Sequence, residues 1–310
     1  MLRNNLTSHC QIKTFLKTII YLIVTFCFLY IAEGLVVPNN SLEYVRRQSG
    51  HGSREVDLGE IKHHVFICYL HNKWKLIYKA FCSGSIITER RVLTSTHCFL
   101  TNRKRRKRNF NKLRIAAGLL TTFAKQPISD GNQQWRSIGH LYTQRFYRFP
   151  AYNLAVVEVD TPWVMNDIVN KIPYTKWNQN FDGLCTGIAL KSTTSWSQSK
   201  TLHKVSLTII EKISCEHRLL RNCDLYYCTK YDVMKLTSTA AEGGGLVCHG
   251  TEDPLEDPHL GVLVGVTSLI NIGLPSLHNR IGLYYQWVTD NQTHAKLSSY
   301  VVLTYILVFF

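Results

Sequence analysis

The sequence predicts a globular, disulfide-bonded domain that contains buried β-strands. Hydrophobic residues make up 45% of the chain and charged residues 18%, a balance typical of an ordinary globular protein and not of a disordered one. The chain has 310 residues, which is enough for one large or two ordinary domains with a substantial core. In residues 152–162 apolar side chains alternate or run continuously, as in a strand buried within a sheet.

Residues 1–34 are predicted to form a secretory signal peptide. Basic residues precede an apolar run at residues 19–31, and the small residues Ala32 and Gly34 follow at the spacing of a cleavage site. The run is too short to span a bilayer comfortably, which favours a cleaved signal over an anchor. Residues 35–55 would then be a short N-terminal pro-like segment, and the rest of the chain would fold in an oxidising, extracellular compartment.

The cysteine content predicts disulfide bridges. Cys10 and Cys27 would leave with the signal peptide, and eight others remain: Cys68, Cys82, Cys98, Cys185, Cys215, Cys223, Cys228 and Cys248. In a secreted chain, bridges are the default over metal sites. Spacing alone selects no pairing, because eight cysteines allow about 105 connectivities.

Two neighbouring motifs identify a family. Residues 81–87 read F-C-S-G-S-I-I and residues 92–98 read V-L-T-S-T-H-C. They resemble F-C-G-G-S-L-I and V-L-T-A-A-H-C of the chymotrypsin/trypsin-like serine proteases, with the same internal spacing. The resemblance implies that His97 stands at the place of the catalytic histidine and that Cys82 pairs with Cys98.

The resemblance continues along the chain to about residue 290. Residues 152–162 resemble the segment around the catalytic aspartate, with Asn153 at the aspartate position. Residues 240–248, A-A-E-G-G-G-L-V-C, resemble the nucleophile loop G-D-S-G-G-P-L-V-C, with Glu242 in place of the serine. Residues 263–288 match the family's final strands and helix.

The resemblance implies an all-β fold of two six-stranded antiparallel β-barrels with a C-terminal helix, over residues 56–290. It also implies the pairs Cys185–Cys248 and Cys215–Cys228. Cys68 and Cys223 are left over, either as an extra bridge or as free thiols.

The catalytic positions depart from the family in ways that predict loss of proteolysis. Glu242 has no hydroxyl with which to attack, and attack on an amide by its carboxylate would give a labile anhydride. An asparagine at the aspartate position favours the wrong histidine tautomer, which costs roughly 10⁴ in turnover in the template enzyme. No triad is therefore intact at His97, Asn153 and Glu242, and we expect Glu242 to pair with His97 and hold its imidazole charged.

The loop that assembles the active site also departs from the family. In the family, a new N-terminus that begins I-V-G-G inserts after cleavage and pairs with the aspartate before the serine, which orders the oxyanion hole. Here that position is Ala241, and residues 54–59 lack the motif. Of the other oxyanion-loop equivalents, Ala240 replaces a glycine and Gly243 is kept. Ile270, in place of a second glycine, is expected to fill the substrate channel.

A run of consecutive cations follows the histidine motif. It comprises Arg103, Lys104, Arg105, Arg106, Lys107 and Arg108. Their mutual repulsion predicts a solvated loop, which in this fold would rim the cleft beside His97. Three interpretations stay open for it: a surface loop without a partner, a site for sulphated glycans or another polyanion, and a dibasic processing site. The net charge of +15 agrees with an acidic partner, and secretion argues against nucleic acid.

Three functions therefore remain under consideration. The first is a secreted, non-proteolytic homologue that binds a protease, an inhibitor, a shielded substrate or an anionic glycan. The second is an active serine endopeptidase, for which a shifted alignment would bring Ser238 near His97. The third is a glycan-binding surface protein that uses the basic loop. No cofactor is expected, and the adjacent His63 and His64 are not a metal site because they point to opposite faces of a strand.

The remaining features are sequons and an apolar tail. Asn39 and Asn291 each begin an acceptor sequence for glycosylation. The tail, residues 291–310, ends in an apolar stretch that is too short to span a bilayer. A lipid-anchor signal and a segment packed on the barrels are its two interpretations, so membrane contact depends on the first.

Overall fold

A computed structural model describes residues 53–126, 132–181, 184–192, 199–230 and 241–290. The chain divides into two units, Met1–His51 and Gly52–Phe310, and all the described residues belong to the second. The predicted signal peptide, the two sequons and the apolar tail lie outside the described residues. So do Ala240 and Ser238.

The described residues form antiparallel strands grouped in two sheets. In chain order the strands are β1 (Arg54–Glu55), β2 (His64–Asn72), β3 (Ile77–Thr88), β4 (Arg91–Thr94), β5 (Leu113–Ala117), β6 (Phe123–Lys125), β7 (Gln134–Arg136), β8 (Ile138–Thr143), β9 (Ala155–Val159), β10 (Leu184–Ser192), β11 (Lys200–Ile210), β12 (Tyr226–Lys230), β13 (Gly245–His249), β14 (Val262–Leu269) and β15 (Ser276–Arg280).

The first sheet is a curved half-barrel. Its order is β7-β5-β2-β3-β4-β9-β8, and β6 pairs with β3 beside this path. Strand β9 lies where the apolar pattern predicted a strand, and four of its five residues are buried. One face of the sheet encloses a core that includes Val65, Ile67, Val92 and Val157.

The second sheet closes into a six-stranded barrel. Its order is β1-β11-β10-β13-β14-β15-β12, and the additional pairing of β11 with β12 completes the ring. A cluster that includes Leu93, Val156, Val247 and Leu263 packs the two sheets against each other. The predicted all-β fold is thus confirmed, although the first half is an open sheet of eight strands and not a six-stranded ring.

Two α-helices accompany the strands in the described part of the chain. Helix α1 (Lys212–Leu219) buries Cys215 and ends at Leu220 in the left-handed conformation. Helix α2, residues 285–290, continues from the 3-10 helix Ile281–Tyr284, which agrees with the expected C-terminal helix. Within the described ranges, no helix has the length and hydropathy needed to cross a membrane.

Three disulfide bridges confirm the pairings that the resemblance implied. They join Cys82 to Cys98, Cys185 to Cys248 and Cys215 to Cys228. The two left-over cysteines, Cys68 and Cys223, are buried free thiols. Burial raises the pKa of both thiols, because a thiolate is poorly solvated in an apolar interior.

Candidate functional site

The three triad-equivalent side chains meet at the junction of the two sheets. His97 lies in the 3-10 helix Thr96–Cys98 that follows β4. Asn153 precedes β9, whose Ala155 pairs with Thr94 of β4. Glu242 precedes β13 and lies 3.0 Å from His97, measured from Oε2 to Nε2. The structure therefore brings together the residues that the motifs placed at the catalytic positions.

Asn153 is held in one orientation by partners with fixed roles. The backbone N–H of His97 can only donate, and it donates to Oδ1 of Asn153 at 2.8 Å. The carbonyl of Pro150 can only accept, so it takes the hydroxyl hydrogen of Ser268 at 3.1 Å. The oxygen of Ser268 then accepts from Nδ2 of Asn153 at 2.8 Å. Because Asn153 is fully buried, water offers no alternative to this arrangement.

The orientation of Asn153 determines where the proton of His97 resides. Nδ2 of Asn153 lies 2.9 Å from Nδ1 of His97, and an amide nitrogen can only donate, so Nδ1 must accept. The imidazole proton therefore lies on Nε2, where it is donated to the Glu242 carboxylate. A hydrogen on Nδ1 would be set against the Asn153 N–H, so this network uses Nδ1 as an acceptor. The charged imidazole expected from the sequence stays a prediction.

This proton arrangement is the reverse of the one that serine proteolysis uses. In the triad, Nδ1 carries the proton and donates it to the aspartate, which leaves Nε2 free to accept the serine hydroxyl proton. Here Nδ1 accepts and Nε2 donates, so His97 has no free lone pair directed at the nucleophile position. The site is thus a closed hydrogen-bond chain from Ser268 through Asn153 and His97 to Glu242.

Two further side chains border the pair: Phe149, which sequence reasoning did not place there, and Lys107 of the basic run, which it placed on the rim of the cleft. The ring of Phe149 lies edge-on to His97, with 5.3 Å between centroids. Burial lowers the pKa of the Lys107 ammonium group, and the electrostatic attraction of the nearby Glu242 carboxylate opposes that shift. The side chains of His97 and Glu242 retain only 11% and 13% exposure. The pair is therefore largely shielded from solvent.

The loop around Glu242 is anchored by backbone hydrogen bonds. The N–H of Ser83 donates to the carbonyl of Glu242 at 2.8 Å, and the N–H of Gly243 donates to Thr267 at 2.8 Å. Gly243 has a φ of +86°, a conformation that glycine adopts at little cost. The loop is therefore held in place beside His97, although its central side chain cannot act as a hydroxyl nucleophile.

Ala241, at the position of the family's buried aspartate, lies in an apolar environment. It is 1% exposed and packs in a cluster with Val56, Ile188 and Leu202. The N–H of Val56 donates to the carbonyl of Leu202 at 3.1 Å in the uncleaved chain. The preceding residues form β1, which pairs with β11. Val56 is thus already fixed without a new N-terminus, and Ala241 offers no carboxylate to an ammonium group.

Ile270 lies against the same cluster. It stands where the family has a glycine in the substrate channel, and it packs, partly buried, on the apolar residues around Ala241. Residues 231–240 are outside the described residues. That the branched side chain of Ile270 fills the substrate channel stays a prediction.

The basic loop, residues 103–108, is exposed but folds back on the first sheet. The Lys107 N–H donates to the Phe99 carbonyl at 2.7 Å. The Arg106 guanidinium lies 4.5 Å from the Phe110 ring centroid, and that of Arg108 lies 4.3 Å from the Tyr69 ring. These cation–π contacts fix the loop beside the cleft, as predicted, and give it more structure than a fully solvated loop would have.

Comparisons with known proteins agree with the architecture. The family model described as Trypsin matches residues 52–288. Coagulation factor IX of Cavia porcellus is similar to this chain, with 22% identity over 229 residues, which cover 67% of this chain and 72% of that protein. The family match spans both sheets and all three triad-equivalent positions. The chain therefore belongs to the trypsin family.

Proposed function

We propose that this chain is a secreted, non-proteolytic member of the trypsin family that acts by binding a protein or an anionic partner. The proposal depends above all on one relationship: Nδ1 of His97 accepts from Asn153 at 2.9 Å, while Nε2 lies 3.0 Å from Glu242. Both ring nitrogens are engaged, and neither is available as a general base. The residue at the nucleophile position supplies a carboxylate, so acyl transfer to a hydroxyl cannot begin there.

The route to activation also supports a binding role. Insertion of a new N-terminus would require a carboxylate at position 241, and Ala241 is buried among aliphatic side chains. An unpaired ammonium group in such surroundings is strongly unfavourable. We therefore infer that cleavage after Arg54, if it occurs, leaves the site unchanged.

Secretion is supported by the three disulfides. Bridges of this kind form and persist in oxidising compartments and are rare in the cytosol. They agree with the predicted signal peptide at residues 1–34.

Hydrolysis by the purified, secreted full-length chain tests the proposal. Wild type, Glu242→Ser and Glu242→Ser/Asn153→Asp would be assayed on a broad peptide library and with an alkyl fluorophosphonate, which labels activated serines. We expect no turnover and no labelling of wild type, and labelling only where both the hydroxyl and the aspartate are present. Hydrolysis by wild type that is abolished in His97→Ala would overturn the proposal and establish the active endopeptidase.

Glycan binding by the basic loop is a second candidate function. All six cations of residues 103–108 are exposed. None of them lies within 4.0 Å of a carboxylate on any residue that the structure describes. Because no ion pair within the described residues neutralises them, these cations can contact an external polyanion such as a sulphated glycan.

Retention on a heparin resin tests this candidate. Arg103→Ser/Arg105→Ser should elute at lower salt than wild type, because fewer charges contact the resin. Lys171→Ser/Lys176→Ser loses the same charge from an exposed site elsewhere and serves as the matched control. Equal elution of the two double variants would show that the loop is only one part of a diffuse basic surface and not a dedicated glycan site.

A further inference from the structure

The turn between β2 and β3 exposes a tryptophan almost completely. Trp74 is 95% exposed and Leu76 is 50% exposed. Lys73 and Lys75 flank Trp74 in the sequence. Single exposed apolar residues are common on protein surfaces, but here an aromatic and an aliphatic side chain project together from one turn between lysines. The turn has the composition of an interfacial anchor, in which an aromatic ring accompanies basic residues.

This turn is built to hold its shape. The Lys75 N–H donates to Oδ1 of Asn72 at 2.9 Å, so the asparagine side chain bridges the turn. Strand β6 supports it from the side, since Ile77 pairs with Lys125 and the Gln126 N–H donates to Leu76 at 3.4 Å. The indole is therefore presented by an ordered hairpin.

The hairpin and the basic loop share one surface. The Lys79 ammonium lies 5.0 Å from the Phe123 ring centroid, and the Phe123 ring lies 5.3 Å from His71. His71 lies 6.3 Å from Tyr69, and the Arg108 guanidinium lies over Tyr69 at 4.3 Å. Three neighbouring rings with a cation at each end thus connect the loop to the hairpin. We call this surface the tryptophan face, comprising Tyr69, His71, Lys73, Trp74, Lys75, Leu76, Lys79, Arg108, Phe123 and Lys125.

The tryptophan face is formed by sequence that contains no carboxylate side chain. Residues 61–88 and 99–126, which include every member of the face, lack Asp and Glu. Its cations are therefore not neutralised by acidic residues from their own segments. The face combines uncompensated positive charge with a protruding apolar tip.

We propose that the tryptophan face docks on an anionic lipid bilayer, with Trp74 and Leu76 entering the headgroup region and the lysines contacting lipid phosphates. Tryptophan favours this interface because its ring is apolar and its N–H remains near water. Lysines near an anionic bilayer gain electrostatic attraction while their stems pack along apolar surface. The surface does not include His97, Asn153 or Glu242, so it is independent of the non-proteolytic proposal.

The shape and chemistry of the tip favour lipid over other acidic partners. A sulphated glycan attracts lysines but offers no apolar layer for Trp74 and Leu76. A protein interface buries its anchors at the centre of a broad, well-packed contact, whereas these two side chains stand at a convex tip ringed by charge. Insertion into a bilayer accommodates both the protrusion and the positive ring.

Vesicle sedimentation with the full-length chain tests the proposal. Vesicles of phosphatidylcholine alone would be compared with vesicles that also contain phosphatidylserine. We expect binding to the anionic vesicles and little to the neutral ones. Trp74→Ser should lower the partition coefficient roughly tenfold or more, since a large apolar side chain is no longer removed from water. Ile213→Ser, which removes a 77% exposed side chain from α1, is the matched control and should bind as wild type does.

A spectroscopic readout and a heparin comparison separate insertion from charge attraction. Vesicles with brominated acyl chains should quench tryptophan emission in wild type but much less in Trp74→Ser, and that variant should still be retained on heparin. Unaltered thermal unfolding would show that Trp74→Ser is folded. Absence of wild-type sedimentation with anionic vesicles, or equal sedimentation and quenching for wild type and Trp74→Ser, would overturn the proposal.

Discussion

The side-chain amide of Asn153 donates to Nδ1 of His97 across 2.9 Å, which reverses the direction of hydrogen bonding in a serine protease triad. The orientation of the amide is fixed, because the His97 backbone N–H donates to Oδ1 of Asn153 at 2.8 Å. Rotating the amide would place two donors against each other. The asparagine thus controls the proton position on His97 as well as removing a charge.

Asn153→Asp is expected to move the proton of His97 from Nε2 to Nδ1, or to add one there. A carboxylate can accept hydrogen bonds from both the backbone N–H and Nδ1–H. It has no hydrogen to donate to Nδ1, so Nδ1 no longer has to act as an acceptor. Nitrogen-15 shifts of the imidazole in selectively labelled protein would report the two ring nitrogens separately.

Ser268→Ala is the control for that experiment. It removes the other acceptor of the Asn153 amide but leaves the His97 backbone contact that sets its orientation, so the wild-type tautomer should persist. Protonated Nδ1 in wild type would contradict the hydrogen-bond chain described for this site.

Gly243→Ala should destabilise the protein by roughly 2 kcal/mol or more, because both conformation and space oppose it. Its φ is +86°, and an added Cβ would lie 2.3 Å from the Ser83 carbonyl oxygen and 2.5 Å from Oγ1 of Thr94. Gly250→Ala is a matched control, since its φ is +66° and nothing lies within 4 Å of the added carbon. The difference between their urea unfolding free energies isolates the steric contribution. Equal losses would show that the loop at Gly243 relaxes freely.

The sequence motifs correctly placed those site residues whose positions are determined by the pairing of neighbouring strands. His97 and Asn153 flank strands β4 and β9, which are hydrogen-bonded neighbours, so matching each strand placed each residue. The same holds for the bridge between Cys82 and Cys98. Backbone pairing fixes such positions and is compatible with many different side chains. They can therefore be recognised even when the sequence has diverged far from the rest of the family.

The direction of the hydrogen bonds and the neighbours of Glu242 could not be read from the sequence. The orientation of Asn153 is set by the His97 backbone N–H and agrees with the acceptor role of Ser268, which is remote in the chain and turns toward Pro150. Lys107 comes near Glu242 because the basic loop folds back on Phe99. The sequence predicted that the loop rims the cleft, but not which of its cations approaches the carboxylate. The sequence likewise does not indicate the pairing of β1 with β11, because residues 35–55 have the features of a pro-like segment.

Ala241→Asp, which restores the family residue, should destabilise the protein by roughly 3 kcal/mol or more. The new carboxylate would be buried with the apolar side chains of Val56 and Leu202. Ala241→Ser is the smaller polar control and should cost about 1–3 kcal/mol. Differential scanning calorimetry at neutral pH would compare the two. A stability for Ala241→Asp equal to that of wild type would mean that the cluster admits water or a cation.

Stability should fall as the pH is lowered from 7 to 5, and His278 should contribute to the fall. Burial lowers the pKa of His278 to about 3, and Thr229 and Thr267 contact its ring nitrogens at 2.8 and 3.1 Å. In the unfolded chain this imidazole binds a proton near pH 6.5, whereas in the folded chain it stays neutral. The free energy of unfolding therefore has its full value above pH 6.5. Below that pH it falls by on the order of 1.4 kcal/mol per pH unit. His63 and His64, whose pKa values burial also lowers to about 3, act in the same direction.

Urea unfolding of wild type and His278→Gln at pH 7 and pH 5 would measure the contribution of His278. The glutamine variant should start less stable at pH 7 but lose less stability on acidification, because one titrating group has been removed from the balance. His217→Gln, at an exposed position in α1, should keep the wild-type difference between the two pH values. A pH dependence in His278→Gln as steep as that of wild type would show that the His278 ring gains its proton in the folded state, contrary to its burial between the two threonines.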